Sequence, residues 1–228
     1  MPKIELDGKV NILALTSLVL SLLALASQIS NYMRGAQVEL HDPQTVILRL
    51  QTFPADKAKS YIHFEAPMTF TNLGANGFNG IVSNETVEFT FENVKRSFRA
   101  YWTFKDVDDE KTNRDVAPTY IGTELAGPKV VPGQGAITHW ARFVPKAQNC
   151  ATFTADQCDA AANSVLLDER SQAVLSKTDE IELVFRASLV GATKGPTASC
   201  SINGASIDFG QLHSRGWSVV DCFSQKHR

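Results

Sequence analysis

The chain has 228 residues, 43% of them hydrophobic and 20% charged, with a formal net charge of −2. That near-neutral balance excludes a general nucleic-acid binder, which needs a basic face. No run of like charges marks a solvated tail or a polybasic lipid patch.

Residues 1–9, MPKIELDGK, form a short polar start, expected in the cytoplasm. The segment 10–30 then holds VNILALTSLVLSLLALASQI, an uncharged and mostly apolar run. Twenty such residues in a helix rise about 30 Å, the thickness of a bilayer core, which predicts a transmembrane signal-anchor. Ala24-Leu25-Ala26 has the form of a signal-peptidase site, so cleavage near Ala26 is the competing expectation. Lys3 and Lys9 before the run, against Arg34 after it, place the bulk of the chain outside the cytosol. The predicted location is therefore a cell membrane, the inner one in a Gram-negative cell, with the large domain periplasmic or extracellular. Ala14, Ser17, Ser21 and Ala24 recur at spacings that line one side of the helix, a stripe suited to packing against another membrane helix.

Residues 31–36 read as a linker, and 37–228 as one exported domain. From Gln37 onward the hydrophobic period is two. Val46, Leu48 and Leu50 alternate with Ile47, Arg49 and Gln51, and Val87, Phe89 and Phe91 alternate with Glu88, Thr90 and Glu92. Phe98, Ala100, Trp102 and Phe104 are expected on one strand face, and Ile181, Leu183 and Phe185 on another. Tyr61–Thr71 and Ala136–Val144 are further strand candidates, rich in aromatic and β-branched residues. One apolar and one polar face is the pattern of half-buried antiparallel strands. Turn residues at 72–77 and 131–135 separate the runs. The fold class is mainly β, an antiparallel β-sandwich. Residues 160–176 carry the helical signal of the exported domain, within an insertion near 150–177.

Four cysteines, Cys150, Cys158, Cys200 and Cys222, allow three disulfide connectivities. Proximity favours 150–158 and 200–222, and an export signal favours oxidation over free thiols. Neither pair has zinc-site spacing.

The stretch Met68-Thr69-Phe70-Thr71-Asn72-Leu73-Gly74, followed by Ile81-Val82 and the Val87–Phe91 strand, resembles bacterial immunoglobulin-like domains. The resemblance implies an adhesion or assembly module rather than an enzyme, and carries over no functional residue.

No catalytic signature of the nucleophile-elbow, zincin, P-loop or dinucleotide-binding type occurs. His63 and His139 lie in strand-like runs and read as structural residues. The acidic stretch from Asp106 to Glu110 lacks the glycine and terminal glutamate of a calcium loop and reads as a solvated turn. His213, Arg215 and Trp217 fall within five residues between Cys200 and Cys222, a composition suited to a protein interface. The expected function is a membrane-anchored interaction or assembly subunit without a cofactor, its partners the bilayer and a protein or a second copy. A secreted domain binding a carbohydrate or small ligand is the alternative, and a hydrolase using His63 or His139 is a third.

Overall fold

A computed structural model of the chain describes residues 8–53, 56–107, 120–145 and 165–223, with side chains described at 14–30, 35–51, 60–105, 120–145 and 165–223. The calls at Cys150 and Cys158, and on the acidic side chains from Asp106 to Glu110, lie outside these residues.

The chain opens with α1 (Gly8–Arg34). Among the described residues, no helix is long and apolar enough to cross a membrane, which corrects the expected transmembrane span at 10–30. The side chains described at 14–30 include Thr16, Ser17, Ser21, Ser27, Gln28 and Ser30, which interrupt the apolar surface. Ala14, Ser17, Ser21 and Ala24 are exposed, and the Ser21 hydroxyl turns back to the Ser17 carbonyl at 2.8 Å.

Strands then follow in succession: β1 (Val38–His41), β2 (Thr45–Phe53), β3 (Asp56–Asn72), β4 (Gly80–Phe91) and β5 (Val94–Phe104). Short pieces come next, β6 (Asp106–Val107), β7 (Tyr120–Ile121), β8 (Glu124–Leu125) and β9 (Lys129–Val131). After β10 (Ala136–Pro145) come α2 (Glu169–Ser176), β11 (Ile181–Leu189), β12 (Thr197–Ile202), α3 (Phe209–Arg215) and β13 (Trp217–Asp221). Of the helix expected at 160–176, residues 160–164 lie outside the described ones, and among the rest α2 covers Glu169–Ser176. Val165 and Leu167 instead bond to the β3 backbone at Ile62 and Ser60, and Asp168 caps the helix through the Ser171 N–H.

Eight staves run in the order β12-β11-β4-β5-β10-β3-β2-β13, with β1, β8 and β9 extending the edges of β3, β5 and β4. Every pairing is antiparallel, and the terminal staves meet. Ser201 of β12 bridges Phe223 just after β13, and the Cys200–Cys222 disulfide ties the same two elements, closing the sheet into a barrel-like sandwich. Closing a loop of this length contributes about 3 kcal/mol by restricting the unfolded chain.

The inward residues of all eight staves form one core. Phe70, Phe98, Phe143 and Phe185 are fully buried in it, and Phe64 meets Phe98 edge-on at 4.9 Å between centroids. Each such ring contributes about 1.5–3 kcal/mol by leaving water. At one end, Leu175 of α2 and Ile207 cover the core beside Leu48 and Ile62.

Alternation holds along β11 and along β4 from Glu85 to Phe91, but β5 departs from it. Ala100 faces Phe143 and Trp102 faces Arg142, so Tyr101 is an extra residue in the ladder. This bulge inverts the facing of everything after it. Phe98 and Ala100 point inward as expected, whereas Trp102 and Phe104 lie on the outer face.

Candidate functional site

The bulge at Tyr101 assembles an outer surface that is unusual for a barrel exterior. Reading across β13, β2 and β3, Trp217 is opposite Arg49, which is opposite His63. In the next row Val219, Ile47, Glu65, Arg142, Trp102 and Leu125 follow one another across six strands. Beyond it, Pro67, Trp140 and Phe104 form a third row. All three tryptophans of the chain thus share one face.

At its centre sits Glu65, fully buried although it points away from the core. Its carboxylate accepts from Arg142 Nε at 2.5 Å, pairs with Arg49 Nε at 2.7 Å, and accepts from the Tyr120 hydroxyl. Arg49 also donates through its terminal nitrogen to the Tyr120 oxygen at 2.6 Å. Tyr120 comes from β7, which pairs with β6 and brings the ring onto Phe104 at 4.2 Å between centroids. Arg142 lies 5.1 Å from the Phe104 centroid and 5.2 Å from that of Tyr120, so each guanidinium is held by both charge and ring.

Burial, reinforced by the Glu65 charge, pushes the Tyr120 hydroxyl up to about 12, and it stays a neutral donor. Burial works against the Arg49 charge, but Glu65 and Tyr120 outweigh it and its pKa is raised. Two guanidinium charges therefore face one carboxylate, leaving the cluster with positive excess.

His63, beside them, is 6% exposed, and its Nε2 has no hydrogen-bond partner. Desolvation, with the nearby Arg142 charge, lowers its pKa to about 4. The consequence for stability has a definite sign. As pH falls below about 6.5 the unfolded chain takes up a proton that the folded ring refuses until about 4, so the native state loses about 3 kcal/mol across that window. Urea unfolding of the wild type and of His63→Phe should show this as a difference in pH dependence between pH 7 and pH 4. Parallel profiles would exclude it.

The other residues singled out from sequence are dispersed. His213 and Arg215 occupy the exposed last turn of α3, where His213 Nε2 lies 3.2 Å from Gln172 Oε1. Gly216, at φ +78°, ends that helix in a left-handed cap. The turn sends Trp217 into β13, where it is buried, away from the exposed pair. His139 points inward and pairs with Glu85 at 2.9 Å. Among the described residues, no group of three His, Cys, Asp or Glu is placed to hold a metal.

Glu65, Arg49 and Arg142 were missed as a set, though a signal was present. Each is the one charged residue in an otherwise uncharged run, within VILRL, YIHFEAPMTF and ITHWARFV. Lone charges of opposite sign in three buried strands must find each other or remain unpaired. No family model, curated protein or solved structure matches the chain.

Proposed function

We propose that this chain is a non-catalytic, immunoglobulin-like binding domain whose outer tryptophan face docks a partner protein. The observation that carries the reading is the placement of half-buried Trp102 and Trp140 over the Arg49–Glu65–Arg142–Tyr120 network. Tryptophan, tyrosine and arginine are the residue types that dominate binding energy at protein interfaces. A fixed network beneath them removes much of the ordering cost of association. Leu125, 64% exposed, is paired directly with Trp102 and extends the apolar part of the face. The positive excess of the cluster favours a partner that offers a carboxylate within an apolar surface. The Cys200–Cys222 disulfide supports work in an oxidising compartment, on the periplasmic or extracellular side.

A photo-reactive amino acid in place of Leu125, in the native host, tests the reading. A single discrete protein adduct is expected from this position and none from the same probe at Val190, exposed on the turn after β11. Trp102→Ala should weaken the captured complex about thirtyfold. No adduct from position 125, or the same adduct from position 190, would contradict it.

A further inference from the structure

The barrel wall is split at one place. β4 pairs with β5 along Thr86–Phe91 but with β9 along Gly80–Val82, while β5 leaves β4 after Arg99 and meets β8 at Trp102. Residues 83–85 on that edge of β4 therefore fall between the two ladders. Both strands also carry an extra residue here, Ser83 opposite the Ser188–Leu189 step and Tyr101 opposite the Arg142–Phe143 step. Bulges bend strands and re-aim their side chains. The opening holds a cavity of about 410 Å³, lined by Ser83, Asn84, Glu85, Arg99, Ala126 and Gly127.

Glu85 is 4% exposed and faces inward, opposite Ala187 of the core. Its two oxygens accept from His139 Nε2 at 2.9 and 3.1 Å, and the imidazole stacks on Phe70 at 5.9 Å. A carboxylate–imidazole pair in an apolar interior gains little stability, because desolvating both groups offsets most of their attraction. His139 Nδ1 adds a further cost, being buried without a hydrogen-bond partner. A polar pair that stability does not require, whose Glu85 lines an opening in the wall, has the character of a binding site.

We propose that this opening binds a small zwitterion of the free α-amino acid class, its ammonium on Glu85 and its carboxylate on Arg99. Arg99 lies on the exposed outer side of the wall, opposite Thr86, while Glu85 lies on the inner side. Opposite charges on the two sides of the gap fix the direction in which such a molecule enters. Ser83 and Asn84 supply further donors and acceptors along the passage. The site uses none of the residues of the tryptophan face, so either proposal can fail alone.

The test is thermal unfolding of the full chain with each of the twenty common amino acids at 10 mM, and with the deaminated and decarboxylated analogues of any that respond. At least one amino acid should raise Tm by about 5 °C when near a hundredfold excess over its Kd, and its two analogues should not. Glu85→Gln should reduce the affinity at least tenfold. Because that change disturbs a buried pair, Gly127→Phe provides a second arm. A Cβ at Gly127 meets nothing nearer than the Leu125 carbonyl at 3.9 Å, so a side chain can leave the backbone there without a clash, and a phenylalanine at this lining position should narrow the mouth. No response from any amino acid, a response retained in Gly127→Phe, or an equal response to an analogue lacking the ammonium would overturn the proposal.

Discussion

Replacing Glu65 with alanine is expected to destabilise the domain by about 3–5 kcal/mol. The carboxylate is fully buried and holds Arg49, Arg142 and Tyr120 at once. Its removal leaves two guanidiniums, each only about a quarter exposed, facing each other with no counter-charge. The energy lost is the penalty of the orphaned charges rather than the net worth of the pairs. It follows that R49M/E65L/R142M should recover most of the loss, since an apolar triad leaves nothing uncompensated. Contrast Glu88, which pairs with Lys95 and Arg186 on the barrel exterior at 2.6 and 3.0 Å. Solvent screens that cluster, and Glu88→Ala should cost less than about 1 kcal/mol. Urea unfolding of the variants checks the ranking. A triple variant as unstable as Glu65→Ala would mean that packing, not charge, sets the loss.

Much of the architecture was legible because most staves obey a simple alternation. β2, β4 and β11 put Val46, Leu48, Val87, Phe89, Leu183 and Phe185 inward as their spacing predicts. The failures share a cause, which is that a long-range partner decides the outcome. Phe98 to Phe104 alternate without a flaw in sequence, and only the pairing with β10 reveals that Tyr101 is supernumerary. Val165–Leu167 sit in a helical pattern, yet β3 offers them backbone partners and they extend. The uncharged length of the N-terminal run predicts a bilayer span, but the polar positions within it reduce its apolar surface. The candidate site was the least legible part, since Tyr120 is 55 residues from the carboxylate it meets.

The second large effect is expected at Asn72, which the sequence presents as a turn residue. In the structure it ends β3, fully buried, and its amide ties three segments together. Oδ1 accepts from the N–H groups of Gln37 at 3.0 Å and Gly74 at 2.9 Å. Nδ2 donates to the carbonyls of Phe78 at 2.8 Å and Val131 at 3.1 Å. All four hydrogen-bonding sites of the side chain are thus used, and all four partners are backbone groups. Gly74 is part of the same device, because a Cβ there would run into the Gly35 carbonyl as well as the Asn72 side chain. Asn72→Leu keeps the volume and strands the four backbone groups, and should cost about 4 kcal/mol at about 1 kcal/mol or more for each. Asn72→Asp preserves the two acceptor contacts but replaces the amide nitrogen with one oxygen that repels both the Phe78 and Val131 carbonyls, so it should be no milder. Hydrogen exchange separates this from a general loosening of the barrel. The amides of Gln37 and Gly74 should lose protection in Asn72→Leu by more than the global change accounts for, while those of β11 and β12 should follow the global stability. Uniform loss of protection across all of these amides would show that Asn72 acts through the whole core instead.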